Sequence, residues 1–192
     1  MKWTIDFPVT DKNVMRKLKA GDEVFINGII IGIRDASLMR IFDKKVTPPL
    51  DLKGGALLHT APGVKKVGKK FHKVCIGTTT STRMNRFTGG LLKQYDAKAI
   101  IGKAGLLQDS VEAMKKYGGC YLAITGGAAA LETTQIEDIE EVHWEDLMPE
   151  CLWKFKVKDF GPLIVAIDAH GTSLYDKVKK HAHKRLKKIL ER

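Results

Sequence analysis

Short apolar segments that stop at glycine, hydroxyl or basic residues constrain this chain most. EVFINGIIIGI (23–33), ALLH (56–59), residues 73–77, AKAII (97–101), CYLAIT (120–125) and PLIVAIDAHG (162–171) are rich in Ile, Val and Leu and read as strands, the first as one long strand or a pair. LWKFKVK (152–158) alternates apolar with polar residues, as a half-exposed strand does. Helical spacing fills the gaps. Val14 and Leu18 lie i, i+4 within 9–20, ahead of Gly21 at a C-cap position. Leu38, Ile41 and Phe42 share a face after Arg34-Asp35-Ala36-Ser37, and Pro48-Pro49 ends that stretch. A further helix runs from Gly105 to Tyr117 and is capped by Gly118-Gly119, and another follows 126–130. KKVGKK (65–70) reads as an exposed basic loop or hairpin tip. Strands alternating with helices predict an α/β fold: a single layered domain on a mixed sheet.

At 192 residues and 44% hydrophobic content the chain can bury a core as one domain, and wholesale disorder is excluded. No apolar run approaches the ~20 residues of a membrane span. Asp6 and Asp11 interrupt the N-terminal stretch, which is no secretory signal, so a cytoplasmic protein is expected. Cys75, Cys120 and Cys151 are widely spaced, and none pairs with cysteine or histidine at metal-ligand spacing. They read as reduced thiols, and no metal site complete in this chain is expected. His181 and His183 are two apart on a helix and do not share a face. The net charge of +11 raises nucleic acid as a partner, but residues 173–192 hold eight Lys/Arg against two Asp/Glu, more than half of it. That tail also carries Leu174, Val178, Ala182, Leu186, Ile189 and Leu190 near one helical stripe, which suits packing against a subunit. With no RNA- or DNA-binding motif present, nucleic acid is the lesser reading.

One pattern recurs three times: a strand ends, glycine or hydroxyl residues follow, and a cation stands in the turn. IIIGIRDAS carries Arg34, IGTTTSTRMN carries Arg83 and IIGKAGL carries Lys103. In α/β folds ligands gather at the C-terminal ends of strands. Each cation alone reads first as a solvated loop charge; three delivered together suit a small polyanion. Thr78 to Thr82 form an unbroken hydroxyl run, longer than one helix cap requires, so at least one hydroxyl is expected to face a ligand. GGAAAL (126–131) is read first as a helix packed tightly on a sheet, and second as a backbone anion cradle.

These motifs carry a resemblance. G-x-RDA with Arg40 following, GTTTSTRMN, GK-x-GL at 102–106, KKYGGCYLAITGGAAAL, VHWEDLMPECLWKFKVKDFGPLIVAIDAHG and the opening LKAGDEV occur in one order across most of 17–175. In this the chain resembles the β subunit, or C-terminal half, of the iron–sulfur class I fumarase and L-tartrate dehydratase hydro-lyases. The resemblance implies a swivelling β/β/α domain over 1–175 with a basic amphipathic helix over 176–192. It implies reversible hydration of fumarate to (S)-malate, or the same chemistry on L-tartrate, by a hetero-oligomer in which two copies of each chain are one possibility. Arg34, Arg83 and Lys103 would bind the carboxylates of the dicarboxylic acid, and Thr79 would take the C3 proton with an aspartate of a companion α chain. A [4Fe–4S] cluster would be held by that α chain and not by this one. Thr78 stands where the family often has proline, and IGIRDAS replaces the fumarase form TGRDAAH, which leaves fumarate and tartrate both open as substrates.

Overall fold

In the computed structural model, which describes residues 1–11 and 13–191, strand β2 (Glu23–Ile33) organises the sheet. It is one unbroken strand. One edge pairs in parallel with β1 (Lys2–Phe7) and then with β3 (Ala56–His59). Strands β6 (Ala99–Gly102) and β7 (Cys120–Ala123) continue that parallel order. The long strand β9 (Leu152–Ile167) runs antiparallel to β7 and also to the free edge of β2, so β2, β3, β6, β7 and β9 close into a ring. Strand β8 (Ile136–His143) extends the sheet beyond β9, and β4 (Gly63–Val67) with β5 (Lys70–Cys75) forms a separate hairpin. The basic stretch 65–70 forms the tip of that hairpin. The mixed α/β sheet is as read; its closure was not expected.

The inner parallel strands β3, β6 and β7 are mostly apolar because both faces are covered. Ala56, Leu58, Ala99, Ile101, Cys120 and Leu122 point to one face and pack with Trp153 and Phe155. Leu57, Ile100 and Tyr121 point to the other. There they meet α2 (Asp35–Phe42), α3 (Asn85–Gln94) and α4 (Gln108–Tyr117) through Leu38, Ile41, Phe87, Leu91, Val111 and Met114. Gly118, left-handed at φ +73°, ends α4 as expected.

Three boundaries differ from the sequence reading. The helix over 9–20 shrinks to one turn, α1 (Val14–Lys17), because the Lys19 and Ala20 N–H groups donate to the Asp22 and Asp168 carboxylates. The segments 152–158 and 162–167 belong to one strand, and 168–171 turn away from it; the ladder passes from Phe160 to Leu163, so Pro162 forfeits no ladder bond, and Gln135 pairs with the Gly161 backbone. Helix α2 stops at Phe42, ahead of Pro48-Pro49. After α5 (Gly126–Leu131), the last element is α6 (Leu174–Leu190), capped by Ser173 Oγ. It buries none of its side chains among the described residues: Val178, Leu186, Ile189 and Leu190 of the apolar stripe are exposed. Among the described residues no helix is long and apolar enough to cross a membrane.

Candidate functional site

The parallel strands bring their C-terminal ends to one edge of the domain, and the three turns with cations lie there. Arg34 follows β2 directly. Its Nε lies 3.1 Å from Asp35 Oδ2 and 3.4 Å from Glu150 Oε1. Glu150 arrives from the turn before β9, accepts from the Ala36 N–H at 2.8 Å, and takes the Ser37 hydroxyl on its carbonyl. These bonds engage only the Nε side of Arg34 and leave its terminal nitrogens without a protein acceptor among the described residues.

The hydroxyl run resolves into distinct duties. Thr78 Oγ1 donates to the His59 carbonyl, Thr82 Oγ1 donates to the Gly105 carbonyl at 2.7 Å, and Ser81 Oγ meets His59 Nδ1 at 2.9 Å. Thr79 differs: its N–H is fixed on the His59 carbonyl at 2.8 Å, and its Oγ1 accepts from Arg83 Nη2 at 3.0 Å. The same Arg83 nitrogen is 3.4 Å from Asp35 Oδ2. One carboxylate oxygen of Asp35 thus stands between the two guanidinium groups. Asp35 pins two arginines at once.

Lys103 leaves the end of β6 beside that turn. Its N–H faces the Thr79 carbonyl at 3.4 Å and its carbonyl accepts from Ser81 N–H at 3.0 Å. Ala104, which follows, is left-handed at φ +61°, and its carbonyl accepts from Tyr121 Oη at 2.9 Å and Tyr175 Oη at 2.6 Å. The structure therefore joins Thr79 to Arg83 directly and Arg34 to Arg83 through the Asp35 carboxylate, and it sets the Lys103 backbone against Thr79 and Ser81. Two guanidinium groups, Arg34 and Arg83, stand here with two carboxylates, Asp35 and Glu150.

Behind this edge lie two buried ionisable groups. His59, last residue of β3, is 1% exposed, and its Nε2 has no partner among the described residues. Burial pushes its pKa down to about 4, with the Asp35 carboxylate pulling the other way. Glu132, after α5, is buried with Oε2 unpaired, and burial pushes its carboxyl up to about 8. Its neighbour Thr133 ties this segment to the Ile76 N–H at 2.8 Å, just ahead of the hydroxyl run. Residue types alone pointed to the cations; they did not single out Ser81, Tyr121, Tyr175 or Glu132, and only β3 and β6 lying side by side joins His59 to the site.

The cysteines do not form a metal centre. Cys75 is exposed while Cys120 and Cys151 are buried, with burial pushing both buried thiols up to about 12. Among the described residues no three His, Cys, Asp or Glu side chains are grouped to hold a metal ion. The donors among the described residues therefore do not fit an iron–sulfur cluster.

Residues 3–178 match the family described as Fumarase C-terminus, and the chain belongs to that family. It is 38% identical over 192 residues to the L(+)-tartrate dehydratase subunit beta of Escherichia coli, covering 100% of this chain and 95% of the relative. It is 37% identical to the putative L(+)-tartrate dehydratase subunit beta of Methanocaldococcus jannaschii, covering 99% of each. A putative fumarate hydratase class I of Geobacillus stearothermophilus is 35% identical over 98% of this chain and 36% of its own length.

Proposed function

We propose that this chain is the β subunit of a hydro-lyase that converts fumarate reversibly to (S)-malate in the cytoplasm, and that it works only when joined to an α chain. The observation that carries the reading is Thr79 Oγ1 held 3.0 Å from Arg83 Nη2, on an edge that also presents Arg34 and Lys103. Arg34, Arg83 and Lys103 bind the two carboxylates of the substrate. In dehydration the deprotonated Thr79 oxygen takes the proton from C3, helped by an aspartate of the α chain, hydroxide leaves C2, and Thr79 then passes the proton to that hydroxide, which departs as water. In hydration Thr79 returns that proton as hydroxide adds. Losing a proton beside a carboxylate builds negative charge on that carboxylate, and fixed cations aimed at it lower the barrier; one donor of this kind is worth about 3 kcal/mol. A cation 3.0 Å from Oγ1 also favours the charged form of an otherwise poor base. The [4Fe–4S] cluster implied by the resemblance is assigned to the α chain.

The second reading is the same chemistry on L-tartrate, favoured by the likeness, along nearly the whole chain, to two proteins named as tartrate dehydratase β subunits. Anaerobic co-expression with the α-type chain, followed by parallel assays on fumarate, (S)-malate and L-tartrate, tests both. The assembled enzyme is expected to hydrate fumarate, and this chain alone to be inactive. Tartrate turnover without fumarate turnover selects the second reading. Turnover of none of the three by an assembled, cluster-loaded complex overturns both.

A further inference from the structure

Thr79 stands inside a turn that one residue of the neighbouring strand grips on both sides. His59 ends β3, and its carbonyl accepts the Thr79 N–H at 2.8 Å and the Thr78 hydroxyl at 3.1 Å. Its imidazole reaches the far side of the same turn, where Nδ1 lies 2.9 Å from Ser81 Oγ. Residues 78 and 79 are thus held on the main chain of His59, and residue 81 on its side chain. Lys103 closes the turn from β6, its carbonyl accepting the Ser81 N–H at 3.0 Å. Strands β3 and β6 are adjacent and parallel, so the turn lies across two neighbouring strand ends.

The contact between His59 and Ser81 is buried at both ends, so losing either partner strands a polar group away from water. Gly102 makes room for it: a Cβ on Gly102 would collide with Ser81 Oγ. Within the turn the duties divide. Thr78, Ser81 and Thr82 bond to the frame, whereas the Thr79 hydroxyl accepts from Arg83 Nη2 at 3.0 Å. A group that must meet one substrate hydrogen works only when its oxygen is placed closely, since an error of about 1 Å costs on the order of 10²-fold in rate. The buried imidazole does not reach the substrate itself; it acts through the turn. We propose that His59 is the positioning residue for Thr79: its carbonyl and its imidazole clamp the hydroxyl turn on either side of Thr79 and so fix where the Thr79 oxygen stands beside Arg83. The proposal rests on the reading of Thr79 as the group that takes the C3 proton.

Two measurements test it. The first is steady-state kinetics of the assembled enzyme. His59→Leu and Ser81→Ala each remove one end of the ring contact, and Gly102→Ala pushes Ser81 off the ring with both side chains intact. Each is expected to lower kcat about tenfold and to leave KM within about twofold of wild type, because other residues hold the substrate carboxylates. His59→Asn can place an amide donor near the Nδ1 position and is expected to recover kcat to within about threefold of wild type. In a Thr79→Ala background His59→Leu is expected to add less than about twofold, whereas a mere loss of folded enzyme multiplies through in either background. An unchanged kcat, a loss seen only in KM, or a further tenfold loss in the Thr79→Ala background overturns the proposal; Ser81→Ala decides the matter should His59→Leu not fold. The second measurement is amide hydrogen exchange, read by NMR on the full chain. His59→Leu and Ser81→Ala are expected to speed exchange of the Thr79 and Ser81 N–H groups about tenfold or more, while Ile100 in the middle of β6 keeps its wild-type rate. Unchanged exchange at 79 and 81 overturns the clamp, whatever the enzyme acts on. A wild-type complex that acts on none of the three acids would instead remove the reading of Thr79 as a base, with exchange still deciding for or against the clamp.

Discussion

The buried imidazole of His59 makes the stability of the domain depend on pH in a calculable way. In the unfolded chain the imidazole titrates near 6.5; in the fold its pKa lies at about 4. Between these values the unfolded state takes up a proton that the folded state refuses, so stability is lost as pH falls from 6.5 toward 4. Above 6.5 this contribution is present in full. At about 1.4 kcal/mol per pKa unit, the loss reaches about 2 kcal/mol by pH 5 and about 3 kcal/mol by pH 4. Below pH 4 both states are protonated and nothing more is lost. His59→Asn removes the titration, so the difference in unfolding free energy between wild type and variant should shrink by those amounts as the pH is lowered from 7.5. Urea unfolding followed by tryptophan fluorescence measures it, because Trp153 is buried in the core. A difference that stays flat with pH, or that grows as the solution is acidified, would refute a buried neutral histidine.

Three further substitutions probe other parts of the account. Arg83→Ala in the assembled enzyme should lower kcat/KM by ~10²-fold or more in steady-state kinetics, because Thr79 and the substrate lose the same cation; near-wild-type kinetics would remove Arg83 from the site. Glu132, with its carboxyl pushed up to about 8, costs the fold increasingly as pH rises from 4.5 to 8, where only the unfolded state ionises freely. Glu132→Gln should therefore stabilise the chain at pH 8 relative to wild type and do little at pH 4.5, as thermal melts at the two values would show. Gly32→Ala would set a Cβ 2.7 Å from Phe155 Cε2 and 3.0 Å from Trp153 Cβ, so denaturant unfolding should show a loss of about 1–3 kcal/mol.

Much of the frame was legible because its signals are local. Strand β3 has the bounds read for it, and β2 is the single strand that its apolar run allowed. Arg34 and Lys103 stand where the parallel strands β2 and β6 end, which sequence alone displays, whereas Arg83 follows the antiparallel β5 and its turn is brought to that edge by the Thr79 N–H on the His59 carbonyl. Strand β1 was missed although Trp3, Ile5 and Phe7 alternate as strand residues do. Strand β8 was hidden by its bulges, which set the buried Ile136 and Ile139 three residues apart, a helical interval, among acidic residues that pair with lysines of β9. Ring closure depends on Glu23 meeting Ile164, a pairing between remote segments with no local signature. The contact of His59 with Ser81 was illegible for the same reason: β3 and the hydroxyl turn must assemble before the two meet. In the hydroxyl run, residue type could show that some hydroxyls were spare, but only geometry separates Thr79, on Arg83, from Thr78 and Thr82, which hold backbone carbonyls.

The central claim is that cations from three turns close on one doubly anionic acid beside Thr79. A crystal structure of the assembled enzyme soaked with (S)-malate or L-tartrate measures this directly. The account predicts carboxylate oxygens within hydrogen-bond distance of the Arg34 and Arg83 guanidinium groups and the Lys103 ammonium, with the substrate C3 facing Thr79 Oγ1. A dicarboxylate bound at an active site that leaves these four side chains untouched would contradict it.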